Sequence, residues 1–388
     1  MKKILIILAG FFLLNASLAQ AQELEYFEAK VEQITNEKSI LHPGEVEPQI
    51  VQEMELVVTS GASKGAKIQV ENGNIPVANI QRYQPGDNLV LYQESIDGTY
   101  NIADYVRRPG LIILSVIFVI AAVIVGRWQG LTSLIGLGLS FLVIFLYILP
   151  KIAAGSNPIL IVILGSLVII PVIFLLSHGI GKKTWVAMAG TLIAMLITGA
   201  LIVIFVNYTK LTGFSSEEAG FIQAMFPGLI NMKNLLIAGM LIATLGLLDD
   251  ITISQAAIVE ELKKANPKLT FGKLYRQAMK VGRDHIASMI NTLILVYAGA
   301  SFPLLLLFIN SQQSIGMTLN FEIVADEIVR TLTGSIGLIL AVPITTALAA
   351  GVNMMMADEP GEKVIIDSET KSKSKELPKT IPKLKTKV

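Results

Sequence analysis

Seven long apolar runs, at about 110–126, 131–149, 158–177, 184–206, 235–259, 284–309 and 331–356, decide what this chain can become. Each is near the roughly 20 residues that a helix needs to cross a hydrocarbon core. Inside lipid every backbone N–H and C=O must be satisfied within the chain, so runs of this kind become helices. Composition agrees, with 53% hydrophobic residues, 16% charged and a mean hydropathy of +0.63, where soluble domains carry about 25% charged residues. The expected fold is an all-α polytopic membrane helix bundle of about seven transmembrane helices over 109–356.

Before that bundle the pattern changes. "MKKILIILAGFFLLNASLAQAQ" has two lysines, an apolar stretch from Ile4 to Leu14 and small residues Ala19 and Ala21 around Gln20. This reads as a secretory signal peptide over 1–21, with an uncleaved anchor helix as the alternative. From 22 to 108 apolar and polar residues alternate in "EYFEAKVEQI", "EMELVVTSG", "GAKIQVENG", "DNLVLYQE" and "YNIADYVR", separated by Gly, Pro, Asn and Asp. Alternation of period two with turn residues between predicts a small all-β extracytoplasmic domain of five strands, OB-like in size. "GASKG" at 61–65 fits the nucleophile-elbow pattern, but it joins two strands and has no triad partner, so it reads as a turn.

Charge sets an orientation. Arg127, Lys182, Lys183, Lys263, Lys264, Lys268, Lys273, Arg276, Lys280 and Arg283 fall in loops of one side, and only Lys151, Lys210 and Lys233 in loops of the other. The positive-inside rule therefore puts the β domain outside, the amphipathic basic segment 260–283 inside and the C-terminus inside a bacterial cytoplasmic membrane. The lysine-rich tail 357–388 reads as a disordered cytoplasmic segment. The outer loop 207–234 is long enough to hold a re-entrant or interfacial element. A net charge of +1 offers no footprint for nucleic acid. With no cysteine, three scattered histidines and no HExxH or GxGD, neither a metal, a cofactor nor an enzyme activity is expected.

The chemistry is concentrated in acids that interrupt the apolar runs. "LGLLDDITISQAAIVEELKK" places Asp249 and Asp250 roughly 22 Å along a helix beginning near Leu235. An acid at a span centre costs about 2.5–3.5 kcal/mol on insertion scales, so both must face protein or water. Gly246, Asp250 and Ser254 share one helix face, to which Glu261 returns, and Asp249 is turned about 100° away. In the next span Asp284, Ser288, Asn291 and Thr292 form a second polar stripe, and before the last span Glu327 and Arg330 are three apart and able to pair. Gly334 and Gly337 permit close helix approach, while Pro343 followed by Thr345 and Thr346 predicts a kink. Three polar stripes predict one shared polar interior, lined by Asp250, Ser254, Asn291, Thr292, Glu327 and Arg330, with Asp249, Asp284 and Ser288 as secondary members.

Several of these segments resemble the YibE/F family of polytopic membrane proteins. The resemblance rests on the D-x-x-x-S of Asp250 and Ser254, on Arg283 and Asp284 ahead of "NTLILVYAG", on "PLLLL" after Ser301, and on "EIVRTLTGSIGL" with "VPIT", spanning 131–351. His285 between Asp284 and Ile286 departs from the family's R-D-I pattern. The resemblance implies an integral membrane protein and no particular activity. A weaker analogy links the second half to proton-driven secretion-type permeases, with Asp250 in the place of their proton-carrying acid, although the number of preceding spans differs. The function expected is that of a transporter or permease for a small solute or ion, coupled to protons or cations through an intramembrane aspartate. The alternatives are a static interhelical polar cluster, or a membrane receptor or scaffold whose β domain binds an extracytoplasmic protein partner.

Overall fold

The computed structural model describes residues 26–41, 48–73, 81–93, 99–309 and 314–355. The segment 1–21, expected to be a signal peptide, and the lysine-rich tail lie outside the described residues. The chain divides into two units at Gly138.

The first unit contains β1 (Tyr26–Ile40), β2 (Gln49–Val58), β3 (Lys67–Asn72), β4 (Asn88–Gln93) and β5 (Tyr100–Tyr105). They form one antiparallel sheet in the order β3-β2-β1-β4-β5. The sheet curls, so that β3 and β5 approach each other. Two register shifts in β1, at Val31/Gln33 and Ile34/Asn36, mark the bulges that bend this long strand between its two neighbours. Alternate residues point inward, and Met54, Leu56, Leu89 and Leu91 are fully buried in a core built by the domain itself. Gln52 is also fully buried; its carboxamide accepts from Tyr83 N at 2.8 Å and donates to Tyr83 O at 3.1 Å, which removes the cost of burying it. The segment 61–65 is a turn between β2 and β3, with Gly61 and Gly65 at φ +84° and +89°, as expected.

Helix α1 (Arg108–Val143) begins next, its first guanidinium bonded to Glu28 on β1. Beyond it follow a π turn (Ile144–Ile148) and α2 (Leu149–Ala153). The segments expected as separate spans at 110–126 and 131–149 lie on either side of a kink at Arg127, where φ is 50° and ψ −133°, within the run Arg108–Ala153. The break is sharp: a Cβ on Gly130 would lie 2.1 Å from the carbonyl oxygen of Ala122, so only glycine fits there.

The second unit contains α3 (Pro158–His178), α4 (Lys182–Tyr208), α5 (Glu217–Met225), α6 (Met232–Ala265), α7 (Phe271–Ala300), α8 (Phe302–Ile309), α9 (Ile315–Thr318) and α10 (Glu322–Met355). Among the described residues five helices are long and apolar enough to cross a membrane, six if α7 and α8, bent by 69°, count as one span. This count is below the seven expected because runs 110–126 and 131–149 both fall in Arg108–Ala153, which counts once although two helices meet in it at Arg127. The loop 207–234 carries only the nine-residue α5. The basic segment 260–283 comprises the end of α6, a short turn and the first turns of α7. Both α6 and α10 run on outside the apolar windows, because hydropathy measures hydrocarbon thickness and not helix length. Helix α10 continues through Pro343.

Candidate functional site

Helices α4, α6 and α10 pack as the centre of the bundle, and their closest contacts are made by glycine and threonine. A Cβ on Gly337 would meet Thr198 Oγ1 at 2.1 Å, and one on Gly190 would meet Thr345 Oγ1 at 2.3 Å. A Cβ on Gly334 would meet only Leu247 at 3.9 Å, an ordinary contact, so of the two glycines read from the sequence Gly337 is the one at a close helix approach. Threonines supply hydrogen bonds across these seams: Thr191 and Thr252 hydroxyls are 2.7 Å apart, and Gln255 Nε2 donates to Thr346 Oγ1 at 2.8 Å and to Ala278 O at 3.2 Å. Small residues that bring backbones together, joined by interhelical hydrogen bonds, are what hold helices to one another where lipid removes the hydrophobic drive.

At one end of this centre a cavity of about 560 Å³ opens among the starts of α5, α6 and α10 and the end of α7. Ser215, Ser216, Glu218, Asp326, Glu327 and Arg330 give it polar walls; Leu235, Leu236 and Ile323 are among its apolar ones. The side chain of Asp326 is 6% exposed. It accepts from Ser215 Oγ at 2.8 Å and from Arg330 Nη2 at 3.3 Å. Arg330 Nε also lies 4.0 Å from Glu327 Oε1. Three carboxylates against one guanidinium leave the lining negative.

The loop that delivers Ser215 is fixed by its backbone. Lys210 adopts φ 55° after α4, and Leu211 N donates to Val206 O at 3.0 Å, which satisfies a carbonyl of the last helical turn. Glu322 then accepts from Thr212 N at 2.6 Å, Gly213 N at 2.9 Å and Thr212 Oγ1 at 2.8 Å. Gly213, at φ +88°, passes so near Met232 that a Cβ would lie 2.4 Å from its carbonyl oxygen.

The sequence-predicted residues do not all meet here. Glu327 and Arg330 line the cavity. Asp249 and Asp250 lie on α6 ten and eleven residues beyond Gly239, the last cavity residue of that helix, or roughly 15 Å further along. Arg330 therefore pairs with Asp326 and Glu327, and no ion pair joins it to Asp250. The two aspartates diverge as their 100° separation requires. Asp249 is half-buried, with Oδ1 fully buried and without a hydrogen-bond partner among the described residues. Asp250 is exposed, within electrostatic reach of His178 at the end of α3. Ser254 is half-buried one turn on. On α7, Asp284, Ser288, Asn291 and Thr292 lie on the exposed face, while Leu274, Ala278, Gly282 and Leu293 are buried. The second stripe thus points out of the bundle.

Sequence reading passed over Asp326 and Ser215. The acid four residues ahead of Arg330 was a usable signal, since i,i+4 neighbours face each other on a helix. Ser215 had none, because its partner is 111 residues away.

Neither the curated proteins nor the solved structures hold a significant match to this chain. The helical region as a whole, from within α1 to the end of α10, is matched by a family model over residues 114–354, and the chain belongs to the family of YibE/F-like proteins.

Proposed function

We propose that this multispan protein is a permease for a small cationic solute or an inorganic cation, coupled to protons through the aspartates of α6. The observation that carries this reading is the 560 Å³ cavity with its negative lining at one end of the bundle. A pocket of this size with convergent polar groups is the usual form of a small-molecule site. Further along α6, Asp250 serves as the proton or cation site, with Ser254 beside it, and Asp249 backs it from the buried side. An intramembrane carboxylate without a basic partner is a functional group by default.

The orientation that goes with this reading has the β domain outside and the turn between α6 and α7 inside, on the positive-inside rule. The chain has no cysteine, so Ser63→Cys and Lys268→Cys can each be labelled with an impermeant thiol reagent in intact cells. Only the first should react.

Transport is tested with the full chain reconstituted into vesicles loaded with a pH-sensitive dye and subjected to a pH step. Wild type should carry protons, and Asp250→Asn should insert normally and carry them much more slowly. Equal rates for wild type, Asp250→Asn and Asp249→Asn would end the proton-coupled reading.

A second reading has support from the β domain, a curled five-stranded antiparallel sheet with its own core. On that reading the domain binds an extracytoplasmic protein partner and the spans anchor it. Deleting 26–105 while retaining proton flux would separate the two roles.

A further inference from the structure

At the end of the bundle opposite the acidic cavity, a second cavity of about 280 Å³ lies where α4 begins and where α6 and α10 end. Its lining contains Lys182, Lys183, Lys263 and Lys264, with Glu260 as its one acid and Asn353 beside them. The lysines differ in what holds them. Lys264 pairs with Glu260 at 2.8 Å and Glu261 at 3.0 Å. Lys263 donates to the carbonyl oxygens of Pro267 at 2.9 Å and Leu269 at 3.0 Å and to the sulfur of Met354 at 3.4 Å, so it is fixed in position while its charge meets no carboxylate. Lys182 and Lys183 make no ion pair among the described residues. They stand at the first turn of α4, whose N-cap, Gly181, provides no side-chain acceptor for the free N–H groups there.

We propose that this basic cavity binds a phosphate-bearing anion, of the kind found in an anionic phospholipid headgroup or as free phosphate. Three features support the assignment. The net charge of the lining is positive, one lysine is pre-positioned by backbone carbonyls, and the recess lies between helices at the end of a span, where a headgroup phosphate would sit. Basic pockets between transmembrane helices are a known way of holding such headgroups. The cavity is separate from the acidic one and does not depend on transport.

The test uses the full chain in mild detergent, with lipid binding read by native mass spectrometry. Titrations with phosphatidylglycerol, phosphatidylcholine and inorganic phosphate are run on wild type, on Lys182→Gln/Lys183→Gln, and on Lys268→Gln/Lys280→Gln. The last variant removes the same charge from positions that do not line the cavity. Neither pair of lysines makes an ion pair among the described residues, so the variants should fold. For a headgroup, wild type retains phosphatidylglycerol over phosphatidylcholine, and the cavity variant binds it roughly thirtyfold more weakly, as expected when two cationic partners of the phosphate are removed. For free phosphate, inorganic phosphate alone raises the melting temperature of wild type, and the cavity variant loses that rise. Either pattern, with the control variant behaving as wild type, upholds the site. Equal weakening in both variants would reduce the effect to surface charge and overturn it, as would no difference between wild type and the cavity variant.

Discussion

Met54, Leu56, Leu89 and Leu91 fill the interior of the curled sheet, whereas on α4, α6 and α10 buried Thr191, Thr198, Thr252, Gln255, Thr345 and Thr346 stand beside fully buried apolar residues such as Ile202, Met240, Leu248 and Ile251. In the β domain water drives large apolar side chains together, and the charged pairs stay on the rim, such as Lys38 with Glu53, while buried Gln52 is hydrogen-bonded to the backbone of Tyr83. Between helices in lipid that drive is lost, and what remains is close backbone approach through Gly190 and Gly337 together with hydrogen bonds between hydroxyls. Large apolar side chains thus fill both cores, and the helical seam adds threonine hydroxyls seated against glycine.

The largest expected effect lies in the β domain. Leu56→Ala should cost about 3–5 kcal/mol, as emptying a well-packed core does. In a domain this small that is enough to unfold it. Limited proteolysis of the detergent-solubilised full chain should then cut within 26–105 while leaving the bundle whole. Loss of both together would break the comparison.

Asp326→Asn is expected to destabilise the bundle by about 2–3 kcal/mol, at or below the lower end for a broken buried pair because Arg330 is partly exposed. Adding Arg330→Gln should restore much of the melting temperature. Failure of the second change to help would remove the pair as the reason for Asp326's burial.

Gly337→Ala should cost about 1–3 kcal/mol, since its methyl would enter Thr198. Gly334→Ala, whose methyl would meet only Leu247 Cδ1 at 3.9 Å, should be near neutral. Equal effects at the two glycines would contradict the role given to close approach.

The smallest effect is electrostatic. Hydrogen bonds and charge from Lys38 with Asn36, Gln33 with Lys67, and Arg107 with the backbone of Tyr105 hold Glu53, Glu55 and Asp104 below their ordinary 4.5 and 3.8. Depressed carboxylates contribute stability that is present above those ordinary values and is lost as pH falls through the lower folded ones. All three are exposed, so the melting temperature of residues 26–107 expressed alone should fall slightly more steeply below pH 4.5 than that of Glu53→Gln. No cooperative transition at all would show that the domain needs the spans.

The strands were legible because alternation and glycine turns are local. The far half of β1 was missed because "TNEKSI" pairs through its backbone and buries almost nothing, and the start of β2 because its buried residues include the polar Gln49 and Gln52. The apolar runs gave the helices but not their ends. Periodicity defined the stripe on α7 without saying which way it faces, and a 3.6-residue repeat holds no such information. The threonine seam was silent for a different reason: Thr191 and Thr252 are 61 residues apart, and threonine is neither apolar enough nor charged enough to stand out.

The glycine contacts also bear on motion. With a threonine hydroxyl seated on Gly337 and another on Gly190, α4 and α10 interlock at two levels like teeth on a rack, and sliding either helix by one residue would drive a side chain into backbone. Any opening and closing of the acidic cavity therefore falls to its walls outside that interlock, the loop and α5 from Gly213 to Ile222 and the elbow where α7 ends, the chain bends by 69° at Ser301, and α8 begins. The centre of the bundle would be the stator of any such movement, with these walls as its rotor.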